Sequence, residues 1–288
     1  PVKKNGLVSR LFMLLVFLFL YAPILVLVVF SFNASKSKAV WAGFTLDWYR
    51  QLFQNDMILN ALAVTLAVSA LAAVISTVMG TAAAIGFRTL RRRFRSICLT
   101  VNNIPLTNAD IITGVSMMLL FLLAISAWNG SLGQLTGVKW SMGFLTLLIS
   151  HIAFDVPYVI LSVMPKLSQL DPNIYEAAQD LGDHGFHAFY KVILPEISPA
   201  MPGVINGLIM AFTLSIDDFV ISYFTAGSTT QTLSMVIYSM AKKRVSPEIN
   251  ALSTLMFLVV VALMVLVNLR QARQERMEKR RRAVLSAK

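Results

Sequence analysis

Cysteine is nearly absent from this 288-residue chain: Cys98 stands alone, which excludes an internal disulfide, and no Cys/His spacing resembles a zinc site. Charge is scarce as well. Asp, Glu, Lys and Arg make up 14% of the residues, against about 25% in a soluble domain, and 57% are hydrophobic. No H-E-x-x-H, no nucleophile motif and no G-x-x-x-x-G-K-[ST] occurs, so a zincin, a serine hydrolase and a P-loop ATPase find no support. Acidic residues are the minority, 14 against 25 Lys+Arg, for a net charge of +11. The mean hydropathy of +0.70 points to a chain whose solvent is largely lipid.

What is there is long apolar runs. Six are long enough to cross a bilayer as helices of about 20 residues: residues 11–30, 61–87, 97–127, 141–164, 198–224 and 248–269. The fold class expected is therefore an all-α membrane protein of six transmembrane helices. The first run follows Lys3, Lys4 and Arg10 but exceeds a signal peptide's usual core of about 7–15 residues and precedes no small-x-small site. It reads as a retained anchor. The chain divides into an anchor helix and first external loop (1–60), a five-helix core (61–270) and a basic tail (271–288).

Basic residues orient the spans. With both termini cytoplasmic, 18 of the 25 Lys+Arg fall inside, among them Arg88, Arg91, Arg92, Arg93 and Arg95 and eight in the tail from Arg270. Topogenic charge near lipid headgroups accounts for both clusters, and no nucleic-acid role is expected. External loop 31–60 carries Trp41, Trp48, Tyr49 and Phe53, the composition of an interfacial segment. Lys242, Lys243 and Arg244 fall on the external side and run against the rule.

The cytoplasmic loop 165–197 is the most informative polar stretch. Asp171-Pro172 is a helix start, Ile174, Ala177, Ala178 and Leu181 form one apolar stripe, and Gly182 suits the stop. A second short helix is expected from about Phe186 to Leu194, ended by Pro195. By physics alone this is an interfacial helical hairpin.

The residues say more. Glu176-Ala177-Ala178, then Gly182, then Val192-Ile193-Leu194-Pro195 resembles the EAA loop of ABC-importer permeases of the MetI-like type I class, with Val192 where the family prefers Ile. Tyr21-Ala22-Pro23-Ile24, Ser31-Phe32-Asn33, Trp41-Ala42-Gly43-Phe44-Thr45, the run from Phe212 to Asp218 and Ser246 to Leu252 are similar to spermidine/putrescine permeases. The resemblance implies a type I importer permease fold with cytoplasmic coupling helices. It also implies a bacterial inner-membrane location and a heterodimer with a second, homologous permease. Two copies of a cytoplasmic ATPase carry ATP and Mg, this chain itself holding no cofactor, and a periplasmic polyamine-binding protein delivers cargo. Glu176, Ala177, Ala178, Gly182, Leu194 and Pro195 would then meet the ATPase, the small residues permitting close backbone approach. Closure of the ATPase dimer would move the spans as levers.

Within the apolar runs, Asp110, Asp155, Asp217 and Asp218 are the ionisable groups of note, and Lys and Arg are missing. An acid at a helix centre costs about 2.5–3.5 kcal/mol, so four would cost roughly 10–14, as much as the whole stability of about 5–15 kcal/mol of a fold. They are expected to face a water-filled path or a partner, and a polyvalent cation would satisfy them. Each has a structural alternative. Asp110, between Asn108 and Gly114, either lines the path in a continuous third span or caps a break in it. Asp155 either lines the path or bonds backbone freed by Pro157. Asp217 and Asp218 point about 100° apart on one helix, so one faces the path and the other a neighbouring helix.

Phe212, Phe219, Tyr223 and Trp128 are either cation–π surfaces or core packing. Thr213 and Ser215 are small polar helix contacts. His151, His184 and His187 suggest no metal. A membrane-embedded enzyme working through Asp155 or Asp217, a passive cation channel, and an importer of iron, thiamine or phosphonate are the competing readings.

Overall fold

The computed structural model describes residues 7–35, 40–168, 201–243 and 247–286. They are helical almost throughout, and among them the one β pairing is an isolated bridge between Asn33 and Phe44. Among the described residues four helices have the length and composition to cross a membrane: Ser9–Phe30, Asp56–Phe87, Asp110–Gly130 and Phe144–Leu167. Met201–Asp217 and Pro247–Ala262 are apolar but shorter. The chain forms two compact units, Pro1–Asn60 with Val236–Val265, and Ala61–Met235 with Leu266–Lys288.

In the first unit, α1 (Leu7–Phe30) runs through Pro23 as a single apolar rod with none of its membrane-length window buried. The loop after it is organised by one side chain. Asn33 Nδ2 donates to the Val40 carbonyl (2.8 Å), and its Oδ1 accepts the N–H of Ala42 (3.0 Å) and of Ser35 (3.2 Å). The indole of Trp48, on α2 (Asp47–Leu52), closes the loop by donating to the Asn33 carbonyl at 2.8 Å. Phe32 stacks on Phe44 with centroids 5.3 Å apart. Trp48, read from sequence as part of an interfacial belt, is instead buried in this loop's own small core.

The second unit starts inside α3 (Asp56–Thr89) and continues with α4 (Arg92–Thr107), α5 (Asp110–Gly130), α6 (Leu132–Thr136) and α7 (Phe144–Leu167). It goes on with α8 (Met201–Asp217), α9 (Val220–Thr225) and the start of α10 (Leu233–Lys243). The last helix, α11 (Pro247–Ser286), continues from its apolar part into the basic tail without a break.

Helix α7 is the centre of the second unit. Val159, Ile160, Val163, Met164 and Leu167 are buried with Ala73 and Ala84 of α3 and Ala211 of α8. Glycines let the backbones approach: a Cβ on Gly80 of α3 would sit 2.7 Å from Val159 Cγ1, and one on Gly203 of α8 would sit 2.9 Å from the Ser162 carbonyl. Small residues are the usual means of packing where lipid supplies no hydrophobic drive between helices. Ser162 adds a hydrogen bond to the Gly203 carbonyl at 3.0 Å. At the other end of α7, Thr146 accepts the Gly143 N–H (2.9 Å) and donates to the Thr225 carbonyl (2.7 Å).

Two expected spans are not continuous helices. The run 97–127 divides into α4 and α5 at Asn108 and Ala109, whose backbones are extended. Pro105 already removes an N–H from the last turn of α4. The run 198–224 divides into α8 and α9 at Asp218 and Phe219. Polar residues stand at both breaks, Asn108 and Asp110 at the first and Asp217 and Asp218 at the second. The apolar residues on either side nevertheless lead a reading averaged over a whole span to join what the backbone separates.

Candidate functional site

The break between α8 and α9 gathers a network of buried polar groups, His151, Asp155, Ser215 and Ser222. Asp218 precedes the first residues of α9, and its carboxylate accepts the N–H of Ser222 (2.8 Å) and of Ile221 (3.3 Å). These are orphan donors of a helix start, and a carboxylate there also meets the positive end of the helix. The Asp218 carbonyl, freed by the break, accepts the Ser234 hydroxyl at 2.7 Å. Two N–H groups and one carbonyl freed by unwinding the helix here are therefore met by specific partners.

Across from the break stands His151 of α7, 1% exposed. Its Nδ1 is 3.0 Å from the Ser215 hydroxyl on α8, and its Nε2 is 3.0 Å from the Ser222 hydroxyl on α9. Ser215 in turn donates to Asp155 Oδ2 at 2.7 Å. A serine has one hydroxyl proton, so with Asp155 taking it, Ser215 accepts from the ring. His151 is then the Nδ1–H tautomer, an assignment from the network, and its Nε2 accepts from Ser222. Asp218 Oδ2 lies 3.7 Å from Nε2, beyond a direct hydrogen bond.

Asp155 lies one turn after His151 on α7 and is fully buried. Its Oδ1 has no hydrogen-bond partner among the described residues. Asp155 bonds Ser215 and not the backbone near Pro157, and α7 continues unbroken through that proline.

The four acids expected to share one path thus separate. Asp155 and Asp218 belong to the buried network around His151. Asp217, the last residue of α8, is exposed. Asp110 is exposed too and opens α5, with Ala109 as the N-cap, so it lies at a helix start and not well inside a continuous third span. It acts as a first-turn acid, favourable to the helix dipole. Asp110 and Asp155 are nonetheless linked through Tyr158, whose hydroxyl is within electrostatic reach of both carboxylates. Helix α5 reaches the break region as well: Gly114 sits under Phe224, where a Cβ would be 2.9 Å from the ring.

The aromatics divide in the same way. Phe219 and Tyr223 pair just after the break with centroids 5.4 Å apart. Phe212 packs against the α7 core. Trp128 faces Trp140 at 5.8 Å and donates to the Val138 carbonyl, holding the connection into α7. Thr213 bonds its own helix at Ile209. Ser222 went unnoticed in the sequence, and only its place seven residues after Ser215 hints at a shared role. The loop residues Glu176, Ala177, Ala178, Gly182, Leu194 and Pro195 lie outside the described residues.

A helical chain with four bilayer-length apolar helices and a buried polar network at a helix break is a polytopic membrane protein. Its family is equally definite: the chain belongs to the binding-protein-dependent transport system inner membrane components, matched over residues 76–282. It is a transport component, not an enzyme. The putrescine transport system permease protein PotI of Escherichia coli (strain K12) is 40% identical over 244 residues, 84% of this chain and 83% of that protein. The spermidine/putrescine transport system permease protein PotC of Haemophilus influenzae is 35% identical over 255 residues, 88% of this chain and 93% of that one.

Among solved structures, a bacterial ABC transporter involved in import of the acidic polysaccharide alginate has a similar chain. Its TM-score is 0.69 at 18% identity, over 94% of this chain and 97% of that chain. The MetNI methionine ABC transporter gives 0.53 at 19% identity, over 81% and 97%. At such identities the likeness is one of fold.

Proposed function

We propose that this chain is the permease subunit of an ATP-driven importer of putrescine and spermidine, forming half of the translocation path. The observation that carries the cargo is the 35–40% identity, over more than four fifths of the chain, to permeases named for those polyamines. The fold itself does not select the cargo, because relatives in fold import alginate and methionine.

In this reading the chain crosses the inner membrane six times with both termini cytoplasmic. Helices α8 and α9 together make the fifth crossing and the apolar part of α11 the sixth. Discontinuous helices are a recurrent way to put polar groups and free backbone at a substrate site inside a membrane. A second permease completes the path, and a periplasmic binding protein delivers the polyamine.

Asp217 is the acid we assign to the path. Its neighbour Asp218 is committed to the N–H groups of α9, whereas Asp217 ends α8 exposed. Asp110, exposed at the start of α5, supplies further negative charge for a polyvalent cation, while Asp155 is buried against Ser215. On the cytoplasmic side, Glu176, Ala177, Ala178, Gly182, Leu194 and Pro195 form the surface that meets the separate ATPase.

The test is uptake of labelled putrescine and spermidine by vesicles holding the chain with its partner permease, ATPase and binding protein. Uptake that needs ATP and the binding protein supports the proposal. Currents without ATP would indicate a channel, and uptake of iron, thiamine or phosphonate in place of polyamine would reassign the cargo.

A further inference from the structure

We propose that His151 is a positioning residue of the transport path: its imidazole clamps α8 to α9 across the break and thereby fixes where Asp217 is presented. The transport part of this inference rests on the polyamine reading above; the clamp itself does not.

The geometry is specific. Helix α8 ends at Asp217 and α9 begins at Val220, so no helical hydrogen bonds hold the two axes in a fixed relation at the break. His151 touches one hydroxyl on each side, Ser215 two residues before Asp217 and Ser222 two residues after Val220, each at 3.0 Å. The imidazole is rigid and planar, so two contacts at its opposite nitrogens set the separation and direction of the two half-helices.

The clamp is itself held. Helix α7 is locked into the core through Val159, Ile160 and Val163, at 0–2% exposure, and approaches α3 at Gly80 and α8 at Gly207. Asp155, one turn along α7, takes the Ser215 proton and so compels that oxygen to accept from the ring. Helix α9 has two further ties: the Asp218 carboxylate holds its first N–H groups, and Thr146 holds the Thr225 carbonyl at its end. Among the described residues the last turn of α8 is tied through Ser215, to His151 and Asp155, which direct it. A residue that merely filled space here would need neither nitrogen.

The experiment compares His151→Leu, which fills a similar volume without hydrogen bonds, with His151→Gln, whose amide offers one donor and one acceptor. Both are made in the complete transporter in nanodiscs, in a Cys98→Ser background with spin labels at the exposed positions 210 and 223, on α8 and α9. The wild type should give one narrow distance distribution between the labels, His151→Leu a broadened or shifted one, and His151→Gln a return toward the narrow one. In uptake assays His151→Leu should raise the KM for putrescine by about tenfold, the scale expected when buried polar partners are left unsatisfied, with His151→Gln much closer to wild type. An unchanged distribution in His151→Leu, or a His151→Gln variant indistinguishable from His151→Leu, overturns the clamp. A wild-type complex that takes up no putrescine overturns the cargo assignment instead, and the label distances still decide the clamp.

Discussion

Ser215 donates its hydroxyl proton to Asp155 at 2.7 Å across the packed faces of α8 and α7, from 60 residues away in sequence. The bond accounts for one carboxylate oxygen of Asp155 and sets the direction of every other bond to His151. Removing a partner from a buried acid leaves the acid to bear its full desolvation cost. Ser215→Ala should therefore destabilise the protein by about 1–3 kcal/mol. Asp155→Asn, which keeps an acceptor for Ser215 and removes the charge, should cost clearly less. Thermal unfolding of the purified subunit in one detergent ranks the two, and no loss from Ser215→Ala would show that the hydroxyl has no structural part.

Asp218→Asn and Asp217→Asn should part company in the same assay. Asp218 accepts the N–H groups of Ile221 and Ser222, one on each carboxylate oxygen. An amide keeps one acceptor of the two, so the substitution should cost one net hydrogen bond, about 0.5–1.5 kcal/mol. Asp217 is exposed at the end of α8, and its substitution should leave the unfolding temperature within about 1 °C of wild type, as for a surface change of under about 0.5 kcal/mol. A larger loss of stability from Asp217→Asn than from Asp218→Asn would reverse the roles assigned to the pair.

How much of this was legible in the sequence follows from what hydropathy measures. The anchor helix α1, α3 and α7 were plain, because a long apolar run has few alternatives in a bilayer. The breaks at Asn108–Ala109 and Asp218–Phe219 were not, because transfer free energy is indifferent to φ and ψ and a few polar residues between apolar stretches are averaged away over a span. Asn108 beside Asp110 was a hint of the first that fits a capped break and a lining acid evenly, and the break is there. His151 and Asp155, four apart on one helix, were visible as a pair on one face. Their partners Ser215 and Ser222 were not, since nothing in a single sequence brings together residues 60 to 71 apart. The stretch from Glu176 to Pro195 resembles the EAA loop in residue type, spacing and location, and it lies outside the described residues.

The approach of α3 to α7 gives a packing prediction. Gly80→Ala places a Cβ 2.7 Å from Val159 Cγ1 and 2.8 Å from its Cβ, so the helices must separate or Val159 must shift. Overpacking of this kind costs about 1–3 kcal/mol. Val159→Ala in the same chain removes the nearer atom and should recover part of that loss. A double-mutant cycle by chemical unfolding measures the coupling, and strict additivity would mean the two residues do not meet.

Gly182→Asp tests the cytoplasmic coupling surface. If Ala177, Ala178 and Gly182 permit close approach of the ATPase, an added carboxylate there should let the subunit insert and assemble while uptake falls to background and ATP hydrolysis continues. Uptake and hydrolysis are measured on the same vesicles. Full transport by Gly182→Asp would remove this loop from the coupling mechanism.

The most direct test of the central claim is ATP-dependent uptake of labelled putrescine by vesicles carrying the complete transporter, wild type against Asp217→Asn. Wild type should accumulate putrescine only with ATP and the binding protein, and Asp217→Asn should lower the initial rate by at least about tenfold, the scale of one lost charge-assisted contact. Wild-type rates from Asp217→Asn would contradict the path assigned here, and no putrescine uptake by the wild-type complex would contradict the polyamine importer itself.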